Sequence, residues 1–514
     1  MSNSEFPITI RPMDEYNQKL VSYVHPLNWI NPQPADRYDL VVIGAGTAGL
    51  VVAAGAVGLN LGLKVALVEK HLMGGDCLNF GCVPSKTLIR SSRAIAQMSR
   101  ASDYGIEQPK HIEADFPAVM ARMRRIRSDI STHDSAKRFQ ELGIDVFLGS
   151  AQFTSSDTVQ VGELTLRFKK AAIATGARAA QPTIPGIEKA GYLTNETVFS
   201  LIQRPQSLGI IGGGPIGCEL AQAFRRLGCQ VTLLHRGSHL LNREDADAAK
   251  IVQKVFHKEK IRVVLGCQLE EVEVVGNAKR LYFSANNRRD SVTVDEILVA
   301  AGRTPNVEGL NLEAVGVESD EHGVKVNDYL QTTNPKIYAV GDICMDWKFT
   351  HAADAAARIA IRNMLFTPFG LGRSKLSSLV MPWVTFTDPE VAHVGMYEDE
   401  AKKRGIDVAT VQIPLSSVDR AIADGEEEGF VKILYKNGSD KILGATIVAA
   451  HAGEMISEIT TAIIGKVGLS KLSSVIHPYP TQAEAIKQAA DAYYQRSLLT
   501  PRTKTILGWL NKLS

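Results

Sequence analysis

Two glycine-rich turns, each set between an apolar run and a helix of small residues, constrain this chain more than any other feature. The first, Gly44-Ala-Gly46-Thr-Ala-Gly49, follows an apolar strand at 40–43, and residues 65–68 supply the next strand. The second, Gly212-Gly-Gly214-Pro-Ile-Gly217, follows 208–211 and precedes 231–234. In each, the first glycine makes a tight turn, the second lets backbone approach a pyrophosphate, and the third lets helix and strand pack closely. The helix N-terminus then offers N–H donors and a partial positive charge to phosphates. Strand, glycine turn, helix and strand form the βαβ unit of a doubly wound α/β domain. Its recurrence predicts two dinucleotide folds, one for a fixed flavin (FAD) and one for an exchangeable nicotinamide.

The two units differ where the ribose is read. Glu69 ends the second strand of the first unit, where a carboxylate can accept hydrogen bonds from ribose hydroxyls. In the second unit that place is held by His235, followed by Arg236, with Arg243 further on. No carboxylate there holds a free 2′-hydroxyl or repels a 2′-phosphate, and two arginines are available to clamp one. NADPH is therefore expected, with NADH as the alternative.

The 514 residues suggest about two to four domains. Boundaries are expected at 1–37 (a polar N-terminal extension), 38–185 and 307–380 (the two parts of the FAD domain), 186–306 (the NAD(P) domain), 381–495 (an α+β domain) and 496–514 (a tail). A net charge of +2 points away from nucleic acid. Arg122, Arg124, Arg125 and Arg127 read as a solvated helix face. Residues 40–63 carry no charge, but their glycines mark a strand, turn and helix rather than a membrane span. The N-terminus has acids and no apolar run, so it is not read as a signal peptide and the cytoplasm is expected. In the tail, Ile506, Leu507, Trp509, Leu510 and Leu513 stand among basic residues and are expected to pack on the body of the protein.

Of six cysteines, Cys218, Cys229, Cys267 and Cys344 are scattered and read as small core residues. The other two stand in Gly74-Gly75-Asp-Cys77-Leu-Asn-Phe-Gly-Cys82-Val-Pro84-Ser-Lys86. Residues five apart do not face each other on a regular helix, so bonded sulfurs require a bend. Gly81 permits it, and Pro84 suits the first turn of a following helix. A thiolate at a helix start is stabilised by the free N–H groups. The pair reads as a reactive disulfide; a closed zinc site lacks its second ligand pair.

This segment resembles the active-site segment of the class I pyridine nucleotide–disulfide oxidoreductases, which include dihydrolipoamide dehydrogenase, glutathione reductase and mercuric reductase. Further landmarks match in order: Ala174-Thr175-Gly176, Ala301-Gly302-Arg-Thr-Pro-Asn306, Tyr338-Ala-Val-Gly-Asp342-Ile, and 381–395 opening a dimerisation domain. The resemblance implies a homodimer. It implies that Cys82 is the thiol nearest the flavin, that Cys77 attacks the substrate, and that Lys86 pairs with Glu219 near the flavin. It also implies that Asp342 holds the ribityl chain, with Gly75, Thr175, Gly176, Gly302 and Ala352 among the residues around the cofactors.

One departure bears on the substrate. Disulfide-reducing members present a histidine–glutamate pair from the partner subunit. Aligned on Glu484, the segment His477-Pro-Tyr479-Pro-Thr-Gln-Ala-Glu484 places Tyr479 where that histidine stands, with His477 two residues early. A phenol with a pKa near 10 is a poor acid–base partner at neutral pH. Mercuric reductases have a tyrosine there, and 217–224 and 243–245 also resemble that branch. Their C-terminal cysteine pair has no counterpart in the tail here. The expectation is electron flow from NADPH through FAD and Cys77–Cys82 to a thiophilic metal ion, Hg(II) reduced to Hg(0), which both cysteines would bind transiently as substrate. A small thiol or a glutaredoxin-like protein would serve as carrier. The alternatives are a disulfide reductase or dihydrolipoamide dehydrogenase-type enzyme using His477, and a flavin-holding redox sensor.

Overall fold

The computed structural model describes residues 10–109, 111–367 and 370–498, together with 505, 508, 509 and 511. Strand Tyr38–Ile43 lies inside a seven-stranded sheet, with parallel Val65–Glu69 on one side and Leu164–Ile173 on the other. Leu40, Val41 and Val42 are wholly buried, so both faces of the strand are covered and its sequence is a continuous apolar run. The far side of Leu164–Ile173 pairs with antiparallel Thr158–Val161 near its start and with parallel Ile337–Ala339 near its end. The last pairing brings the chain back to the first sheet after the second unit. Helix Thr350–Leu365 then packs on helix Thr47–Val57. The small residues of that first helix are explained here, since a Cβ on Gly55 would lie 2.6 Å from Ile361 Cδ1.

The second unit is a parallel sheet in the order Arg262–Val264, Gln230–Leu234, Ser207–Ile211, Glu296–Val299, covered by an antiparallel sheet of Gln268–Val275, Ala278–Ala285 and Arg288–Val294. A short ladder of Arg303–Pro305 with Ala177–Ala179 joins the two units. The C-terminal part is a five-stranded antiparallel sheet, Pro382–Thr385, Glu390–Gly395, Ile442–Ala449, Phe430–Lys436, Val408–Pro414. Helices Ala452–Ile464 and Glu484–Leu498 pack on it. The architecture is thus two doubly wound dinucleotide folds and an α+β unit.

The arginine cluster departs from the expectation. Arg122 and Arg125 are solvated, but Arg124 and Arg127 are only 6% and 2% exposed. Helix Phe116–Ile130 buries Met120, Met123, Arg124 and Arg127, one stripe at spacings of three and four. The N-terminal extension covers that stripe with helix Glu15–Val24, whose Leu20, Val21 and Val24 enter the core. Asp14 caps the helix through the Asn17 N–H and also receives Arg124 Nε at 2.5 Å. The extension then runs along the sheet edge, where Trp29 Nε1 donates to Val146 O at 3.1 Å and Asn31 bonds Leu148 N and O.

Cys218, Cys229 and Cys267 are buried, and Cys344 partly so. Burial pushes all four thiols upward, Cys267 to about 11 and Cys229 to about 12. Among the described residues no helix is long and apolar enough to cross a membrane. Most of the tail lies outside the described residues, including Ile506, Leu507, Leu510 and Leu513; Trp509 is 72% exposed rather than packed on the body.

Candidate active site

The segment after Glu69 folds as a short helix, Gly75–Asn79, carrying Cys77, and a long one, Cys82–Ser99, opened by Cys82. The break between them depends on glycine. A Cβ on Gly81 would stand 2.9 Å from the Asp76 carbonyl oxygen and 3.4 Å from Cys77 Cα. Gly75, at φ +56°, would press a Cβ to 2.7 Å from Gly46 Cα, so the cysteine loop rests directly on the first glycine turn.

Both cysteines are free thiols, and each acts on the titration of the other. Cys82 Sγ also lies 3.3 Å from Thr350 Oγ1, at the start of helix Thr350–Leu365. Cys82 is lowered to about 6: the bond from Cys77 acts most strongly, Thr350 and the Lys86 charge assist, and burial and Glu219 oppose. Cys77 is pushed up by donating to Cys82, by burial and by the Cys82 charge. The pair therefore carries one thiolate at neutral pH, on Cys82, with the proton on Cys77. In the reduced protein, thiolate absorbance is expected to titrate with a midpoint near 6, and Thr350→Val to move it upward. A titration showing no thiolate below pH 8 would contradict this arrangement.

Lys86 Nζ meets Glu219 Oε2 at 2.7 Å, while the other Glu219 oxygen accepts the Phe386 N–H at 2.9 Å. The Phe386 ring lies under Lys86 Nζ, 4.5 Å to its centroid. Three parts of the chain thus converge: the helix begun by Cys82, helix Pro215–Arg226 and the segment before strand Glu390–Gly395. Sequence reasoning named Lys86 and Glu219. It did not name Phe386, although the residue stood inside a quoted motif. It also missed Thr350, for which no local signal exists.

The first glycine turn fits the diphosphate and ribose of FAD. A Cβ on Gly46 would touch only Gly75 Cα, at 3.7 Å, so the backbone is open to a ligand. Glu69 accepts the Ala45 N–H at 2.6 Å and the His71 N–H at 2.8 Å, which sets its carboxylate at the turn. Asp342 is pushed up by burial and faces Arg303 Nε at 3.5 Å; Arg303 also bonds Asp76, the residue before Cys77. Thr175 Oγ1 donates to Asn306 O at 2.8 Å and the Asn306 N–H bonds Gly176 O, pinning the Gly176 turn, while Gly302 O accepts the Ala180 N–H. Ala352 is wholly buried.

In the second turn His235 stands in for the acid: its Nδ1 accepts the Gly213 N–H at 3.0 Å, as Glu69 accepts that of Ala45. The space beside Gly214 is open, with no atom within 4 Å of a built Cβ. Arg236 and Arg243 are exposed and form no ion pair among the described residues. Glu244, next to Arg243, is tied instead to Trp383 Nε1 and Tyr397 OH, both at 2.7 Å.

The residues of the C-terminal segment lie elsewhere in this chain. Tyr479 is 69% exposed, and its hydroxyl donates to Asp419 at 2.9 Å, which raises the phenol's pKa. His477 turns inward: its side chain is 6% exposed and Nε2 meets Glu458 Oε1 at 2.8 Å. Glu484 opens the last helix. Among the described residues, no hydrogen bond joins these three to Cys77 or Cys82.

Residues 38–357 match a family model described as pyridine nucleotide-disulphide oxidoreductase, and residues 381–490 match that family's dimerisation domain. A mercuric reductase of Lysinibacillus sphaericus is 36% identical over 489 residues, 95% of this chain and 88% of that protein. A dihydrolipoyl dehydrogenase of Chlamydia muridarum is 35% identical over 482 residues, 91% of this chain and 99% of the other. The Cu(II) complex of the HOCl-induced flavoprotein disulfide reductase RclA from Escherichia coli superposes with a TM-score of 0.78 at 27% identity, covering 89% of this chain and all of that one. By its sheets, its paired thiols and these matches, the chain belongs to the pyridine nucleotide-disulphide oxidoreductases, a family that binds FAD and a pyridine nucleotide.

Proposed function

We propose that the protein is a homodimeric NADPH-dependent reductase, acting in the cytoplasm, that passes electrons through Cys77 and Cys82 to a thiophilic metal ion, with Hg(II) as the leading substrate. The carrying observation is Tyr479, exposed in the place where disulfide-reducing members present a histidine, combined with His477 bonded to Glu458. A reaction that needs no proton delivered to a leaving thiolate suits that exchange. The mercuric reductase and the copper-bound neighbour give the reading further support.

When bound, FAD supplies two-electron relay from the nicotinamide. Gly46, Ala45, Glu69 and Asp342 would hold it, and Lys86, steadied by Glu219, would present a positive charge. Two sulfurs suit a soft ion better than oxygen ligands do. Cys82 is already a thiolate; binding the metal to Cys77 as well releases the proton held there. The balance is NADPH plus Hg(II) giving NADP⁺, H⁺ and Hg(0). Arg236 and Arg243, exposed and free of carboxylate partners among the described residues, would receive the 2′-phosphate.

Rapid-mixing assays of the purified flavoprotein with NADPH or NADH, against Hg(II), Cu(II), lipoamide and glutathione disulfide, test this. The expected result is metal-dependent oxidation with kcat/KM at least about tenfold higher for NADPH, the worth of one good phosphate contact. Turnover with lipoamide or glutathione disulfide, and none with either metal, would contradict it.

A further inference from the structure

The N-terminal extension does more than cover a sheet edge. Its helix Glu15–Val24 places Asn17, wholly buried, against Arg127, and Asn17 Oδ1 accepts Arg127 Nη2 at 2.8 Å. Arg127 Nη1 donates to the Asn79 carbonyl at 2.6 Å. Asn79 is the last residue of the short helix that carries Cys77, and its own amide folds back to Gly75 O at 2.9 Å and Met73 O at 3.1 Å. A second link runs through backbone alone, Met73 N–H to Val24 O at 3.1 Å. The extension thus bonds the cysteine-bearing segment at two points, Met73 and Asn79.

The chemistry of the grip is unusual. Arg127 is buried with no carboxylate partner among the described residues; Asp14, the nearby acid, pairs with Arg124. Burial, with the neighbouring Arg124 charge, lowers Arg127 to about 10, and Asp14 offsets only part of this. Such a placement is unfavourable for stability, and two apolar side chains would pack there at less cost. What the guanidinium provides is direction: a planar fork joins a side-chain oxygen on the extension to one specified carbonyl on the loop. Asn79 is two residues from Cys77, so a shift of that carbonyl moves the sulfur.

We propose that the Asn17–Arg127–Asn79 relay makes the N-terminal extension a positioning part of the dithiol site, fixing Cys77 against Cys82 and so setting the pair's reactivity and disulfide equilibrium. This rests on the reading of Cys77–Cys82 as a redox couple. Asn17 and Arg127 act through Asn79 and touch no reacting atom.

The test uses the full-length holoprotein and three substitutions. Asn17→Ala cuts the relay, and Asn17→Asp restores an acceptor for Arg127. Asn31→Ala loosens the extension at Leu148, on the sheet edge and without a bond to the loop. The readouts are melting temperature, the equilibrium constant of the Cys77–Cys82 disulfide in glutathione redox buffers, and the rate of Cys77 alkylation after reduction. For Asn17→Ala we expect at least about a threefold change in alkylation rate and a tenfold shift in the disulfide equilibrium, the consequence of misplacing a reacting group by a fraction of an ångström. Asn17→Asp should return both toward wild type, and Asn31→Ala should lower melting temperature while leaving both unchanged. If Asn17→Ala and Asn31→Ala lower melting temperature alike and neither moves the thiol readouts, the extension is merely structural and the proposal is wrong. A wild-type protein that forms no Cys77–Cys82 disulfide in any buffer removes the redox couple itself, a failure distinguishable from the first.

Discussion

Replacing Cys77 by serine is expected to lower metal-dependent NADPH oxidation by about a thousandfold, the scale on which removing one member of a reacting pair acts. A hydroxyl is a hard, weak ligand for a soft ion, and it cannot close a disulfide with Cys82. Serine can still donate a hydrogen bond to Cys82, the largest influence lowering that thiol. Cys77→Ser should therefore keep the thiolate midpoint near 6, while Cys77→Ala raises it. Steady-state rates with ultraviolet thiolate titration of both variants separate the two roles. Equal midpoints in serine and alanine variants would show that the Cys77 hydrogen bond does not hold the Cys82 charge.

The second large effect concerns the pair beneath the dithiol. Lys86→Met should reduce turnover by about a hundredfold, as removal of one fixed charge from a reacting site does. The same change should raise the Cys82 midpoint, whereas Glu219→Gln should lower it, because Lys86 favours the Cys82 thiolate and Glu219 opposes it. Opposite movements distinguish electrostatics from loosened packing, which would move both alike. Glu219→Gln also leaves Lys86 without its counter-charge. With the lysine side chain 36% exposed, the stability lost is about 2 kcal/mol, below the range for fully buried pairs. The folded value of Cys82 lies below the ordinary thiol value of about 9. The Cys82 thiolate therefore stabilises the reduced protein increasingly as pH rises from 6 to 9, a contribution lost as pH falls through 6, and above pH 9 the raised Cys77 thiol opposes it.

The sequence made the glycine turns and the cysteine loop readable because both impose local backbone geometry that few residues satisfy. Gly75 and Gly81 are needed for contacts within a few residues or with the adjoining turn, so short motifs carry them. The arginine stripe was misread because four arginines on a helix look solvated until something covers them. Arg127 is buried by Asn17, 110 residues away, and no local pattern signals that pairing. Thr350 reaches Cys82 across 268 residues for the same reason. At His235 the sequence showed a missing carboxylate. That the ring nitrogen takes over the carboxylate's bond to the turn became apparent only from the distance to Gly213.

Electron flow from the nicotinamide into the Cys77–Cys82 couple is the central step of the proposed reaction. Anaerobic titration of the oxidised flavoprotein with NADPH, followed by alkylation and peptide mapping, measures this directly. One equivalent per subunit should expose two new thiols, at Cys77 and Cys82. Consumption of NADPH with neither cysteine becoming alkylatable would contradict it.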